Sequence, residues 1–206
     1  MDKATVSYYD DNAGDVSRRF ETADMSRVHG YLLAHLPPRG SRVLEIGCGS
    51  GRDAAFLMAS GYDVRAVDAS AGLIEEALKL HPELVGRLSV AAVPFPEECP
   101  LLRDGFQAIV SMAVLMHIPE ADLPDTVSQI RRLLVPGGVA FISVSAGRPG
   151  VDGEGRGQGG RLFLERPPEH LQGVFEAQGF RMAARYQTPD GYSRGIAWHS
   201  MAFLRE

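Results

Sequence analysis

The stretch VLEIGCGSGRDA, residues 43–54, decides how this chain is read. Val43, Leu44 and Ile46 form a short apolar run of the kind that makes a buried parallel strand. Gly47, Gly49 and Gly51 follow at alternate positions, and a helical pattern opens at once with Asp53, Ala54, Ala55, Phe56 and Leu57. Strand, glycine turn and helix together make a nucleotide cradle. Glycine lets the backbone turn sharply and lets a ligand lie against it. The helix behind presents unpaired N–H groups and the positive end of its dipole.

The spacing of the glycines narrows the ligand. A dinucleotide fingerprint, G-x-G-x-x-G, seats a pyrophosphate on the helix N-terminus. Counted from Gly47, its third glycine falls at position 52, which is Arg52. No Gly-Lys-Ser/Thr follows, so a phosphate-binding P-loop is excluded too. What remains is G-x-G-x-G with Glu45 ahead of it on the strand. E-x-G-C-G-x-G after an apolar strand resembles the first motif of class I S-adenosylmethionine-dependent methyltransferases, whose ligand carries no phosphate. The resemblance covers residues 40–145 most closely and the flanks more loosely.

That resemblance implies an α/β, Rossmann-like doubly wound fold, with a seven-stranded, mostly parallel sheet closed by a C-terminal antiparallel hairpin. It implies S-adenosyl-L-methionine as cofactor, S-adenosyl-L-homocysteine as product, and in-line methyl transfer to a small-molecule acceptor. The cofactor is expected on Glu45, Gly47, Cys48, Gly49, Gly51 and Arg52, then on Asp68 and Ala69, and on Ser111 and Met112 after the fourth strand. Two other classes stand beside it. One is an NAD-dependent oxidoreductase, which Arg52 in place of the third glycine opposes; the other is a methyltransferase-like module that binds the cofactor without turnover.

At 206 residues the chain suits one domain with a real core, read as an N-terminal helical cap over 1–38 and a Rossmann-like core over 40–206. Its net charge of −5 gives no electrostatic case for a nucleic-acid partner. No apolar run is long enough for a bilayer and no signal peptide opens the chain. The two cysteines, Cys48 and Cys99, make no disulfide framework. A cytoplasmic protein is expected.

Before the first strand, residues 1–14 are polar, with Tyr8 and Tyr9 among them. Phe20, Met25, Val28, Tyr31, Leu32 and Leu36 then suggest amphipathic helix ending before Pro37. In the resembled family such a segment covers the cofactor and builds the substrate pocket, which makes Tyr8 and Tyr9 substrate candidates; the alternative is packing on the sheet. YDVRAVD, 62–68, is the second strand. Asp68 lies about 20 residues past the glycine turn, placed to accept from ribose hydroxyls; otherwise it caps the next helix, as Ser70 does equally well. LSVAAVPFP, 88–96, is the third strand running into a proline-containing loop, and relatives often carry an acid near this strand's end for the adenine amino group. Here stand Ala91, Ala92 and Val93, leaving a backbone carbonyl or Glu97 to substitute.

FQAIVSMAVLMHI over 106–118 is the fourth strand and the turn after it, and Val139 to Val144 supply the fifth strand after a Pro136-Gly137-Gly138 turn. Residues 145–160 are glycine-rich without periodicity and are expected to form a mobile loop. Helix over PPEHLQGVFEA and two alternating strands around a Pro-Asp-Gly turn at 189–191 complete the pattern.

Methyl transfer needs no elaborate catalytic array, because the activated group arrives on the cofactor. A base helps only where the acceptor must lose a proton. His117, just past the fourth strand, is the best placed catalytic and substrate-site candidate, although a lone histidine is more often structural. His199 in the last strand is a weaker one. No H-x-x-x-H or C-x-x-C spacing points to a metal. The Asn/Asp-Pro-Pro-Tyr/Phe motif of DNA amino-methyltransferases is absent after the fourth strand, which favours a small-molecule acceptor.

Overall fold

The computed structural model describes every residue except 191 and 193, so the glycine of the expected turn at 189–191 lies outside the described residues. The chain runs α1 (Lys3–Asp11), α2 (Ala13–Glu21), α3 (Ser26–His35), β1 (Arg42–Ile46), α4 (Arg52–Ala59), β2 (Asp63–Asp68) and α5 (Ala71–Leu80). It continues through β3 (Leu88–Val90), β4 (Phe106–Met112), α6 (Leu123–Leu133), β5 (Leu134–Ala146), α7 (Pro168–Ala177), β6 (Phe180–Pro189) and β7 (Ala197–Arg205).

One seven-stranded sheet has the order β3-β2-β1-β4-β5-β7-β6. The pairs among β1 to β5 are parallel, and β7 lies antiparallel between β5 and β6. The central strands are apolar because both faces are covered. Leu44, Ile46, Phe106 and Ile109 pack with Val127 and Ile130 of α6 and Leu171 and Phe175 of α7. On the other face Val43, Val64, Ala108 and Val110 pack with Leu32 of α3 and Leu57 of α4. The chain leaves β1 in one direction and β4 in the other, and ligands of such sheets sit at that switch point, beyond the strands' carboxyl ends.

Local signals place most boundaries. Ser70 caps α5 by accepting from the Leu73 N–H, Pro168 starts α7, and Gly61 and Gly179 take positive φ just past their helices. Three expectations change. The polar stretch 1–14 contains a helix, α1, capped by Asp2, which accepts from Thr5 N–H. The third strand is only three residues long. Pro136-Gly137-Gly138 does not precede β5 but bulges within it, the register jumping from Phe106↔Leu134 to Ala108↔Val139.

The glycine-rich segment is also better held than its composition suggests. Arg156 binds the Asp2 carboxylate at 2.8 Å, Leu162 N–H donates to Thr5 Oγ1 at 2.8 Å, and Leu164 N–H donates to the Met116 carbonyl at 2.8 Å. Composition predicts mobility where no partner is visible; here α1 supplies the partner.

Candidate active site

A cavity of about 830 Å³ opens at the carboxyl ends of β1, β2 and β4, under the N-terminal helices. Its floor is the turn after β1. Gly47 and Cys48 both donate to the Val67 carbonyl, at 2.7 and 3.0 Å, which folds the turn back on β2. Gly47 has φ +78°, and a Cβ there would lie 2.1 Å from Val114 Cγ2, so only glycine fits. Gly49 N–H then donates to Asp68 Oδ2 at 2.9 Å, while Oδ1 accepts from Ser70 N–H at 2.9 Å. Burial lifts the Asp68 carboxyl above its usual range, and the N–H groups of Ser70, Gly49 and Ala69 work against that. These bonds leave a carboxylate with acceptor capacity to spare for a ligand. Asp68 is therefore not the α5 cap; Ser70 holds that place.

Gly47, Cys48, Gly49, Arg52, Asp68, Ala69, Met112, Tyr9 and His117 all line the cavity. Glu45, Ser111 and His199 are not among the lining residues, whereas their neighbours Ile46, Met112 and Trp198 are. Position along the strand accounts for all three: the cavity meets Ile46 and Met112, the last residues of β1 and β4, and Trp198 near the start of β7, while Glu45, Ser111 and His199 each stand one residue deeper in the sheet. Glu45 is buried behind the turn, and burial, with Asp53 nearby, raises its carboxyl well above the carboxylate range. Gly51 is likewise a packing residue, since a Cβ there would meet Leu84 Cδ1 at 3.0 Å and Ala77 Cβ at 3.2 Å. Tyr8 lies outside the lining and packs under the Arg161 guanidinium, 4.0 Å from its ring. Of the adenine-side expectations, Ala91 and Val93 line the cavity, while Glu97 pairs with Arg132 at the surface.

Several contacts that tie the site together have no local signal. Arg52 donates to the Phe20 carbonyl at 2.6 Å and to Asp53 Oδ2 at 2.9 Å, tying α2 to the start of α4. Burial opposes the charge on Asp53, but hydrogen bonds from His29 and Arg52 outweigh it and hold the carboxyl down to about 2. Asp190 takes both Arg194 and the Trp198 indole N–H at the mouth of the last hairpin.

His117 is buried, with Nδ1 on the Leu162 carbonyl and Nε2 3.3 Å from the Tyr9 hydroxyl. A carbonyl only accepts, so Nδ1 carries the proton and Nε2 accepts from Tyr9. Burial pushes the imidazole down to about 4, and Arg148 and Arg161 add to the effect. Between pH 6.5 and about 4 the unfolded chain holds a proton that the folded imidazole refuses. Stability therefore falls as pH drops through that window, by up to about 3 kcal/mol, and this group adds no pH dependence above it. His117→Asn keeps a donor for Leu162 and cannot titrate, so its denaturation midpoint should fall less steeply over the same window. Parallel slopes for both proteins would remove His117 as the cause.

Residues 17–185 match the family model described as a methyltransferase domain. The chain belongs to the methyltransferase-domain family. Among curated relatives it is 33% identical over 114 residues to the ubiquinone biosynthesis O-methyltransferase of Xanthomonas axonopodis pv. citri, covering 55% of this chain and 46% of that protein. It is 27% identical over 141 residues to hemagglutinin 1 of Eikenella corrodens, covering 65% and 46%. The chain thus spans about half the length of these relatives. In fold it is similar to the 1,6-didemethyltoxoflavin-N1-methyltransferase of Burkholderia thailandensis, solved with its substrate and S-adenosylhomocysteine, with TM-score 0.73, 23% identity, and 98% and 87% coverage. Magnesium protoporphyrin IX methyltransferase of Synechocystis PCC 6803, solved with bound SAM, gives TM-score 0.75, 16% identity, and 100% and 98% coverage. Across the described residues of this family member no group of three His, Cys, Asp or Glu is arranged for a metal, and no helix is long and apolar enough to cross a membrane.

Proposed function

We propose that the 206 residues act as one S-adenosylmethionine-dependent methyltransferase domain, residues 1–38 capping 40–206, that methylates a small molecule in the cytoplasm. The observation that carries this reading is the meeting of the Gly47–Gly49 turn with Asp68, Gly49 N–H on Oδ2 at 2.9 Å, on the wall of a cavity about 830 Å³ in volume. The residues fit the cofactor: Gly47, Cys48 and Gly49 of the turn line the cavity, and Asp68 keeps lone pairs for ribose hydroxyls. When bound, S-adenosylmethionine supplies a sulfonium methyl group, which passes to an acceptor lone pair as the C–S bond breaks and S-adenosylhomocysteine is left.

The chain's part is to bind, to orient and to exclude water, and orientation alone is worth about 7–11 kcal/mol. Asp68 and the turn hold one partner; Tyr9, Met112 and Trp198 wall the space beside them. His117, held down to about 4, is a poor match for a base working at neutral pH. Its neutral Nε2 instead fixes the Tyr9 hydroxyl on the cavity wall.

Calorimetric titration with S-adenosylmethionine and S-adenosylhomocysteine tests the reading; one site per chain is expected, and no binding of either would end it. Asp68→Ala sharpens the test. Each charged-partner hydrogen bond to ribose is worth about 1.5–3 kcal/mol, so cofactor affinity should fall at least about tenfold. The same change orphans two buried N–H groups, at about 1–3 kcal/mol each, so the denaturation midpoint should fall as well. Lower stability with unchanged affinity would leave Asp68 as a pin for Gly49 and Ser70 alone.

A further inference from the structure

Three arginines stand at the end of the cavity formed by the segments after β5 and β6: Arg161, buried, Arg148, half-buried, and Arg194, exposed. Arg194 has its carboxylate, both oxygens of Asp190 at 2.8 Å. Among the described residues Arg148 and Arg161 have none. Arg161 is 8% exposed, yet it meets no carboxylate: Nε donates to the Gln158 carbonyl at 3.1 Å, and the guanidinium also lies against the Tyr9 hydroxyl. Arg148 Nε is buried with no partner. The other well-buried arginine, Arg166, shows what the fold ordinarily supplies: one carboxylate, Glu120, and two carbonyls.

Both unanswered cations rest on one aromatic ring. Arg148 Cζ is 4.2 Å from the Phe163 centroid and Arg161 Cζ is 5.1 Å from it. Stacking orients a guanidinium and leaves its N–H edge free for a partner. A buried and a half-buried cation side by side, with no carboxylate paired to either, cost free energy that folding alone does not recover. The strain shows in Arg148, which burial, Arg194 and Arg161 together push down to about 10. Around them Tyr9, Phe163 and Trp198 offer flat apolar surface.

We infer that the methyl acceptor is a small aromatic anion, its carboxylate-type group taken by the free N–H edges of Arg148 and Arg161 and its ring by Tyr9, Phe163 and Trp198. This rests on the methyl-transfer reading of the same cavity and names the substrate class for it. Binding brings the missing charge to a pair of cations already desolvated and oriented, so selectivity against neutral analogues follows.

The test uses 2-naphthoate and its neutral amide as probes, titrated into the full-length protein with and without S-adenosylhomocysteine. Naphthoate should bind at least about tenfold tighter than the amide. Arg148→Gln should erase that preference and leave S-adenosylhomocysteine affinity unchanged, while Arg148→Lys, which keeps the charge and loses the fork, should retain part of it. Equal affinity of the two probes, or no binding of either at millimolar concentration, would overturn the inference. So would a loss of S-adenosylhomocysteine affinity in Arg148→Gln, because the guanidinium would then serve the cofactor. If S-adenosylhomocysteine fails to bind the parent protein, the methyl-transfer reading falls, and naphthoate preference in the ligand-free protein still decides the anion site separately.

Discussion

Gly47→Ala should unfold the cradle before it costs any contact with a ligand. A left-handed φ of +78° is strained for any residue with a Cβ, by about 1–2 kcal/mol. The new methyl would also stand 2.1 Å from Val114 Cγ2, inside the core. Overpacking of that kind costs about 1–3 kcal/mol. The turn has little room to move away, because Gly47 and Cys48 are both tied to the Val67 carbonyl. Together these losses are a large share of an ordinary folding stability of about 5–15 kcal/mol. The denaturant midpoint should drop accordingly, and S-adenosylhomocysteine affinity with it. Val114→Ala in the same background removes the steric part and leaves the backbone strain, so the pair should show a favourable coupling in a double-mutant cycle. A Gly47→Ala protein with parent stability would mean that Val114 swings aside freely and the turn is not closed.

Removing residues 1–14 should abolish methyl transfer while weakening cofactor binding far less. The sheet keeps Gly47, Gly49 and Asp68, so the cradle survives. What goes is a wall: Tyr9 against His117, Thr5 Oγ1 under Leu162, and Asp2 on Arg156. Without them the segment around Arg161 and Phe163 loses its anchor, and water enters the space where the acceptor must be held. A smaller loss of cofactor affinity, about tenfold, is expected. Asp10 accepts from Ser70 Oγ at 2.6 Å and Gly72 N–H at 3.0 Å, beside Asp68, and is removed too. Labelled cofactor incubated with a broad metabolite extract measures transfer, and calorimetry measures binding. A shortened protein that turned over at the parent rate would put the acceptor elsewhere and leave α1 as packing.

These effects divide between what is written locally in the chain and what is not. Strand, turn and helix at 43–54 were legible because an apolar run, alternating glycines and a helical period are properties of neighbouring residues. The same holds for Asp68 at the end of β2, for Pro168 and Gly179 bounding α7, and for the alternating hairpin that closes the sheet. Period and turn chemistry act over a few residues, and a single sequence displays them.

How far along each strand the cavity reaches is not legible in the sequence. Glu45 and Ile46, Ser111 and Met112, and Trp198 and His199 are neighbours in sequence, and no local signal tells which of each pair the cavity meets at the strand ends. Only the packed helices decide that. Helix α1 was hidden for a related reason: its residues are polar, and it is held by Asp2, Thr5 and Asp10, whose partners lie 60 to 157 positions away. The unanswered charges of Arg148 and Arg161 belong to the same class. A lack of partners is a statement about every neighbour in space, and the tertiary structure alone determines who those neighbours are.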